Sequence, residues 1–555
     1  MRIRLMLVLT LATTAAAQTV PLRSQLPQKS QIRFEDATAK AGIDFTHSIG
    51  SAQLSSLLEG TGSGCVWFDY NNDGLPDLYV LSGQTLPPSM TTHPLNAPPN
   101  PPPHNHLYRN NGDGTFTDVT ERAGLDPNLY ATAVTAGDYL NNGYEDLLVT
   151  GYGRVILYRN NGNGTFTDVT KQAGIDVKGW SISSTWLDYN LDGCLDLFVG
   201  RYVDFDPKYR NYYAADNYPG PLDYAGTTNK LFRNNCNGTF TDVTDQSGIG
   251  ASIGRTMGVT AADFTGDGRD DIYVANDSTQ NFLFHNNGNG TFREIAEDAS
   301  VAYGQDGEAT SSMGPVAADI TGSGWLDLWV SDGHYNRLMK NNGDGTFTDI
   351  GILSGLAQAN AQYVSWGSGV YDFDNDGLLD IMVFHGGLIH MIPMEHSIFR
   401  GLGGGRFEDV SRSAGHVVNQ RSVARGACFA DYLNNGKIDA FVVNLGGRGT
   451  LLRDVSTGTG HWIEIWLRGA NTPTNHSESN RDGIGAMVDI WAGGRHQVAE
   501  RVASSGYLSQ NDGRLHFGLG AADKIDKLVV HWPSGRVQTL TDLKVDRVLT
   551  VEEPK

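Results

Sequence analysis

Beyond its first residues, the sequence has no apolar run approaching the ~18 residues that a membrane-crossing helix needs, so it offers no candidate span. Basic residues are in short supply: 41 Lys and Arg face 62 Asp and Glu, for a formal net charge of -21. A surface of that sign repels nucleic acid, and a polyanionic partner would need a cation between it and the protein. Cysteine is equally scarce. Cys65, Cys194, Cys236 and Cys428 allow three pairings in an oxidising compartment. Cys194 and Cys236 fall within one repeat and are the expected bridge. Cys65 and Cys428 occupy equivalent segments of the first and last repeats, but one residue out of phase, which on alternating strands turns side chains to opposite faces.

What is abundant is glycine, 68 residues, and a repeated acidic loop. The start, MRIRLMLVLTLATTAAAQ, has two arginines, a short apolar run and small residues at Ala15 and Ala17. It reads as a secretory signal peptide, residues 1–17, and no Cys follows it to accept a lipid. The mature chain is expected to be secreted, extracellular or periplasmic.

The segment FDYNNDGLPDLYV at Asp69 recurs as GDYLNNGYEDLLV, LDYNLDGCLDLFV, ADFTGDGRDDIYV, ADITGSGWLDLWV, YDFDNDGLLDIMV and ADYLNNGKIDAFV, seven copies in all. A second motif of the type LYRNNGDGTFTDVT follows the first six and reads as strand, tight Asn/Gly turn, strand. Its Asp113 and Asp344 are turn formers by this reading. A small-residue segment precedes every acidic loop, as in ATAVTA and TMGVTAA, and suits an innermost, crowded strand. The last copy lacks its final strand, and a matching piece, RFEDATAKAGIDF, stands before the first copy. Repeats of this period predict an all-β, seven-bladed β-propeller over residues 31–457, with calcium-binding inter-strand loops. A small C-terminal β domain follows over 458–555, where HWIEIWL, GAMVDIWAGG and KLVVHWPSG read as strands.

Oxygens at loop positions 1, 3, 5 and 9, with Gly at 6 for the sharp turn and the position-7 carbonyl available, suit a hard cation that takes six to eight oxygens. The candidate ligands are Asp69, Asn71, Asp73 and Asp77; Asp138, Asn142 and Asp146; Asp188, Asn190, Asp192 and Asp196; and Asp263, Thr265, Asp267 and Asp271. They continue with Asp319 and Asp327; Asp372, Asp374, Asp376 and Asp380; and Asp431, Asn435 and Asp439. Leu140 and Leu433 replace a position-3 oxygen, and Thr321 and Ser323 leave the Asp319 loop the poorest. About four to seven Ca2+ ions follow from this count. Without them the clustered carboxylates would repel one another.

The repeats, together with NRDGIGAMVDI, SSGYLSQNDGRLHFGLG and VVHWPSG near the C-terminus, resemble secreted FG-GAP/VCBS repeat proteins that end in an ASPIC/UnbV domain, the cartilage acidic protein-like family. The resemblance implies a propeller like that of integrin α-subunits, calcium in the loops above, and an extracellular binding role without catalysis. The expected partner is an unknown extracellular protein or glycan. The alternative is a calcium-dependent polysaccharide lyase or hydrolase, but nearly all the acidic residues belong to the repeat, whereas a catalytic pair should break it. His385, His390 and His396 do break it and are weighed as a transition-metal site. The tyrosine-rich insertion at 201–227 either stacks on sugars or packs over its own repeat. Sequons at Asn163, Asn237 and Asn289 fall in the repeated turn.

Overall fold

Each repeat unit is built the same way from its sequence. A small-residue strand runs into the acidic loop, and the loop's last Asp opens the next, apolar strand. The Asn/Gly hairpin then adds two more. In the first unit these are Cys65–Phe68, Asp77–Val80, His106–Asn110 and Phe116–Asp118, paired in that order. All pairings are antiparallel, with Phe68 opposite Asp77 across the loop. The computed structural model describes residues 32–91, 103–209, 218–388, 390–458 and 460–555; the signal-peptide reading of 1–17 lies outside them.

Seven such four-stranded sheets follow one another along the chain, each in simple order. The seventh comprises Ala424–Ala430, Asp439–Asn444, Thr450–Asp454 and the N-terminal strand Phe34–Asp36, which pairs with Thr450–Asp454 through Phe34 opposite Asp454. The strand missing from the last copy is therefore supplied by the start of the chain.

The expectation of a seven-bladed propeller is corrected. The sheets are separate open meanders, and none closes on itself into a barrel or propeller. The paired omission at the two ends explains why the seventh sheet has four strands; completing one sheet is a local pairing and does not by itself make a closed architecture. Neighbouring sheets meet through packed side chains, as where Val66, Tyr79 and Leu107 of the first sheet join Val134, Leu147 and Ile156 of the second.

Both cysteine pairs are bridged. Cys194–Cys236 is the expected one, and Cys65–Cys428 joins the first and seventh sheets at a Cα separation of 5.9 Å. The phase argument against the second bridge fails because the two cysteines lie on different sheets, whose facing strands need not keep one register.

Toward the C-terminus, His461–Arg468 pairs with Leu515–Gly520 and, in parallel, with Arg547–Glu552. A second sheet orders Arg495–Glu500, Met487–Ala492, Lys524–His531 and Val537–Lys544. Ile463, Ile465, Val488, Ile490, Leu528 and Val530 form the core between them.

The segment 504–512 leaves this region and runs among the small-residue first strands of the repeats. Ser504 Oγ donates to Val259 O at 2.8 Å, Gly506 N to Pro315 O at 2.8 Å, and Tyr507 Oη to Thr61 O at 3.0 Å. Gln510 holds both ends of one peptide group pair: Ala136 N donates to its Oε1 at 2.7 Å and its Nε2 donates to Ala136 O at 3.2 Å. Asp512 N donates to Phe429 O at 2.9 Å. The small-residue strands are the reason it fits. A Cβ on Gly64 would lie 1.8 Å from Leu508 O, and one on Gly314 2.8 Å from Tyr507 N.

Candidate cation-binding loops

Six of the seven loops share one hydrogen-bonding scheme, and the seventh departs from it only in that Asp431 accepts from Leu433 N at position 3 (3.2 Å) and from Gly436 N at position 6. The position-1 Asp accepts from the backbone N–H groups at positions 5 and 6: Asp69 from Asp73 N (3.0 Å) and Gly74 N (2.8 Å), Asp188 from Asp192 N (3.0 Å) and Gly193 N (2.8 Å). The position-9 Asp is buried and accepts, through Oδ1, the N–H that opens the hairpin turn. Asn110 N donates to Asp77 at 2.7 Å, Asn160 N to Asp146 at 2.7 Å, and Asn286 N to Asp271 at 2.9 Å. The sequence thus folds two carboxylates onto the same loop from opposite ends, and both keep oxygen lone pairs to spare.

The second oxygen of the position-9 Asp separates the loops. In the first, fifth and sixth it is taken by a backbone N–H: Tyr70 N at 3.3 Å from Asp77, Thr321 N at 2.7 Å from Asp327, and Phe373 N at 2.9 Å from Asp380. In the other four, Asp146, Asp196, Asp271 and Asp439 Oδ2 are buried with no hydrogen-bond partner. A buried, unpartnered carboxylate oxygen is costly; in the metal-free chain a raised proton affinity offsets that cost, and a divalent cation would relieve it with the carboxylates ionised. These donors, all oxygen, fit a hard cation. The third and fourth loops combine this open oxygen with oxygens at positions 3 and 5. The second and seventh have it despite Leu140 and Leu433.

Electrostatics agree. Burial, with Asp192 next, pushes Asp188 up to about 8. Burial, with Asp482 next, pushes Asp138 up to about 7, and burial with Glu464 raises Asp431 to about 7. Asp146, Asp196 and Asp439 are held well above the usual carboxylate range, first by burial and then by the position-1 Asp of the same loop.

The sixth loop contains a residue that the sequence reading passed over. Asp372, Asp374 and Asp380 bring oxygens within 4.8 Å of one another, yet Arg400 Nε donates to Asp374 at 2.7 Å and its Nη2 to Asp376. A fixed guanidinium already neutralises part of this four-carboxylate loop. The signal was present: a basic residue stands at this place in LYRNN, LFRNN, LMKNN and IFRGL.

We expect Asp192→Ala, in the third loop, to cost one bound ion, and Ser323→Ala, in the self-satisfied fifth loop, to cost none. Elemental analysis of calcium-equilibrated protein checks this. Equal losses would mean that side-chain oxygens do not set occupancy.

The remaining sequence candidates resolve as structural groups. His385 lies between Ser365 Oγ (3.1 Å) and Ser397 Oγ (3.0 Å), and His396 Nε2 meets Ser422 Oγ at 3.1 Å. Burial holds both well below the ordinary histidine value, while His390 is exposed. Asp113 Oδ1 accepts from Thr115 N and Oγ1, as a turn former should. Of the insertion tyrosines, Tyr202, Tyr218 and Tyr224 are buried in a cluster with Trp180 and Phe205, Tyr209 is partly exposed, and Tyr212 and Tyr213 lie outside the described residues.

Comparison with known proteins matches two family models. The FG-GAP-like repeat model matches residues 92–149, 138–199, 220–274, 263–330 and 319–383, and the ASPIC and UnbV model matches 476–555. Cartilage acidic protein 1 of Mus musculus is 25% identical over 320 residues, covering 56% of this chain and 46% of that protein. The Homo sapiens protein of the same name is 24% identical over 325 residues, covering 57% and 46%. The chain spans about half the length of the curated relatives it matches. Among solved structures, an Agrocybe aegerita lectin described as recognising non-reducing terminal N-acetylglucosamine aligns at a TM-score of 0.37 and 21% identity, over 69% of this chain and 86% of that one. YCF48 bound to D1 peptide aligns at 0.40 and 10%, over 73% and 96%. With FG-GAP repeats along its acidic loops and the ASPIC and UnbV signature at its C-terminus, the chain belongs to the cartilage acidic protein-like family.

Proposed function

We propose that the chain is a calcium-stabilised extracellular binding protein, without catalytic activity, that recognises a protein or glycan. The observation that carries the calcium part is the set of buried, unpartnered oxygens on Asp146, Asp196, Asp271 and Asp439. One fold device places each of them, and each meets a position-1 carboxylate in the same loop. Calcium rather than magnesium suits the donors, because the nine-residue loops offer carboxylates with amide or hydroxyl oxygens and a backbone carbonyl, an all-oxygen set larger than magnesium uses from protein. The two disulfides suit an oxidising compartment, in line with the secretory reading of residues 1–17. No described helix is long and apolar enough to cross a membrane.

The binding part follows from membership of the family and from the carboxylates being committed to the repeated scheme. The test has two stages. Elemental analysis after equilibration with calcium should find about four ions or more per chain. A glycan array and an extracellular-protein array, each probed with and without calcium, should then give calcium-dependent retention. Shortened oligosaccharides recovered from the array would support an enzyme instead, and an ion-free protein would remove the calcium reading.

A further inference from the structure

The residue at loop position 4 is not a candidate ligand. It adopts a left-handed backbone in the first, second, third, sixth and seventh loops: φ is 58° at Asn72, 53° at Asn141, 55° at Leu191, 54° at Asn375 and 52° at Asn434. Asn tolerates that conformation at modest cost, which would suffice to explain its presence there. Its side chain, however, reaches out of its own loop. Asn72 Nδ2 donates to Gly143 O at 2.6 Å, Asn141 Nδ2 to Gly193 O at 2.9 Å, Asn375 Nδ2 to Gly436 O at 2.8 Å, and Asn434 Nδ2 to Gly74 O at 3.1 Å. Each acceptor is the position-6 glycine of the following loop, the first loop following the seventh. The amide orientation of Asn141 and Asn434 is fixed from the far side, where Oδ1 accepts from Arg481 N at 2.7 Å and from Arg514 Nη1 respectively.

The carbonyl that accepts this bond belongs to the peptide between positions 6 and 7. The N–H of the same peptide donates to the position-5 oxygen: Leu75 N to Asp73 Oδ1 at 3.1 Å, Tyr144 N to Asn142 Oδ1 at 2.9 Å, Cys194 N to Asp192 Oδ1 at 3.0 Å, and Lys437 N to Asn435 Oδ1 at 3.1 Å. One rigid peptide plane therefore links the asparagine of one loop to a candidate ligand of the next. Hydrogen bonds at the two ends of a peptide polarise and strengthen each other.

We infer that Asn72, Asn141, Asn375 and Asn434 are positioning residues for cation binding, each holding the position-5 ligand of the loop that follows it. The inference rests on the calcium reading above. The links run unbroken from the sixth loop through the seventh, first and second to the third. They stop there because position 4 is Leu191 in the third loop, Gly266 in the fourth and Gly322 in the fifth. Cation binding is coupled along the linked loops and independent elsewhere.

The test uses the full chain, stripped with chelator and titrated with calcium by isothermal calorimetry. Asn72→Gly and Asn141→Gly, which act on the second and third loops where the position-9 Asp has an open oxygen, remove the donor while keeping a residue that accepts positive φ. Leu191→Gly makes the same backbone change where no such bond exists. Each asparagine variant should weaken calcium at the following loop by about threefold to tenfold, the worth of one hydrogen bond, with the number of ions unchanged. Leu191→Gly should leave calcium affinity as it was. Melting in excess chelator supplies the contrast, since a merely structural role would lower that temperature without moving calcium affinity. Variants that bind calcium like the unmodified chain would overturn the inference and leave the calcium reading intact. An unmodified chain that takes up no calcium would overturn both.

Discussion

Excess chelator is expected to lower the melting temperature by about 10 °C. An ion that binds only the folded chain at a hundred times its Kd contributes about 2.7 kcal/mol, so four such ions contribute on the order of 10 kcal/mol. For a chain of this size the unfolding entropy is about 1 kcal/mol per degree, which sets the shift. The loss should also depend on pH in a definite direction. In the metal-free chain Asp138 and Asp431 are pushed up to about 7, Asp188 to about 8 and Asp327 to about 6, in each case first by burial. An unfolded Asp titrates near about 3.9, so between about pH 4 and 8 the folded chain holds more protons than the unfolded one. Its stability is fully present below that window and lost as pH rises through it. Calcium should therefore protect more at pH 8 than at pH 5.5. Calorimetric melting at both pH values, with and without chelator, decides the matter; a melting temperature that chelator leaves in place at pH 8 would refute it.

The second large effect concerns the C-terminal region. Truncation after residue 457 is expected to leave the repeats unable to melt cooperatively, even in saturating calcium. Segment 504–512 is what Ala136, Val259, Pro315 and Phe429 bond to. Two loops lean on the same region, because Asp138 N donates to Asp482 Oδ2 at 2.7 Å and Asp263 N to Glu500 Oε2 at 3.0 Å. Each buried backbone group left without a partner costs about 1–3 kcal/mol, so losing several removes on the order of 10 kcal/mol, comparable to the whole stability of an ordinary domain. The cavity left by Tyr507 and Leu508, both fully buried, adds to that. A truncated chain with a single sharp transition and full ion content would show that the repeats stand alone.

The local structure was legible in the sequence, and for a physical reason. Alternating strands, Asn/Gly turns and Asp at loop positions 1 and 9 are short-range signals, and they give the four-stranded units and their loops. Even the transfer of Phe34–Asp36 to the seventh sheet was readable, because one copy lacked a strand that another place had in excess. Closure into a propeller was inferred from the complementary omissions at the two ends of the repeats, and filling one four-stranded sheet is a local pairing that carries no information about how the open sheets are arranged. Arg400 went unremarked because its side chain comes from a neighbouring hairpin, and 504–512 was read only as part of the C-terminal signature because its partners, Thr61 and Ala136 among them, lie far off in sequence. The position-4 asparagines were visible in NNDG and NNG, but turn propensity already accounted for them.

The N-terminal strand has a consequence for how the chain acquires its structure over time. Phe34–Asp36 pairs with residues more than 400 positions later, as the 413-residue separation between Leu451 N and Thr38 Oγ1 shows, and Cys65 and Cys428 are joined across 363. Neither link can form until nearly all the repeats exist. Contacts of such sequence separation make folding slow, and until the last one forms Thr450–Asp454 presents an unpaired edge. The late-completed seventh sheet is thus where a nascent chain is most exposed to pairing with another copy of itself, while the Cys65–Cys428 bridge ties the sheet's opposite edge strand to the first sheet.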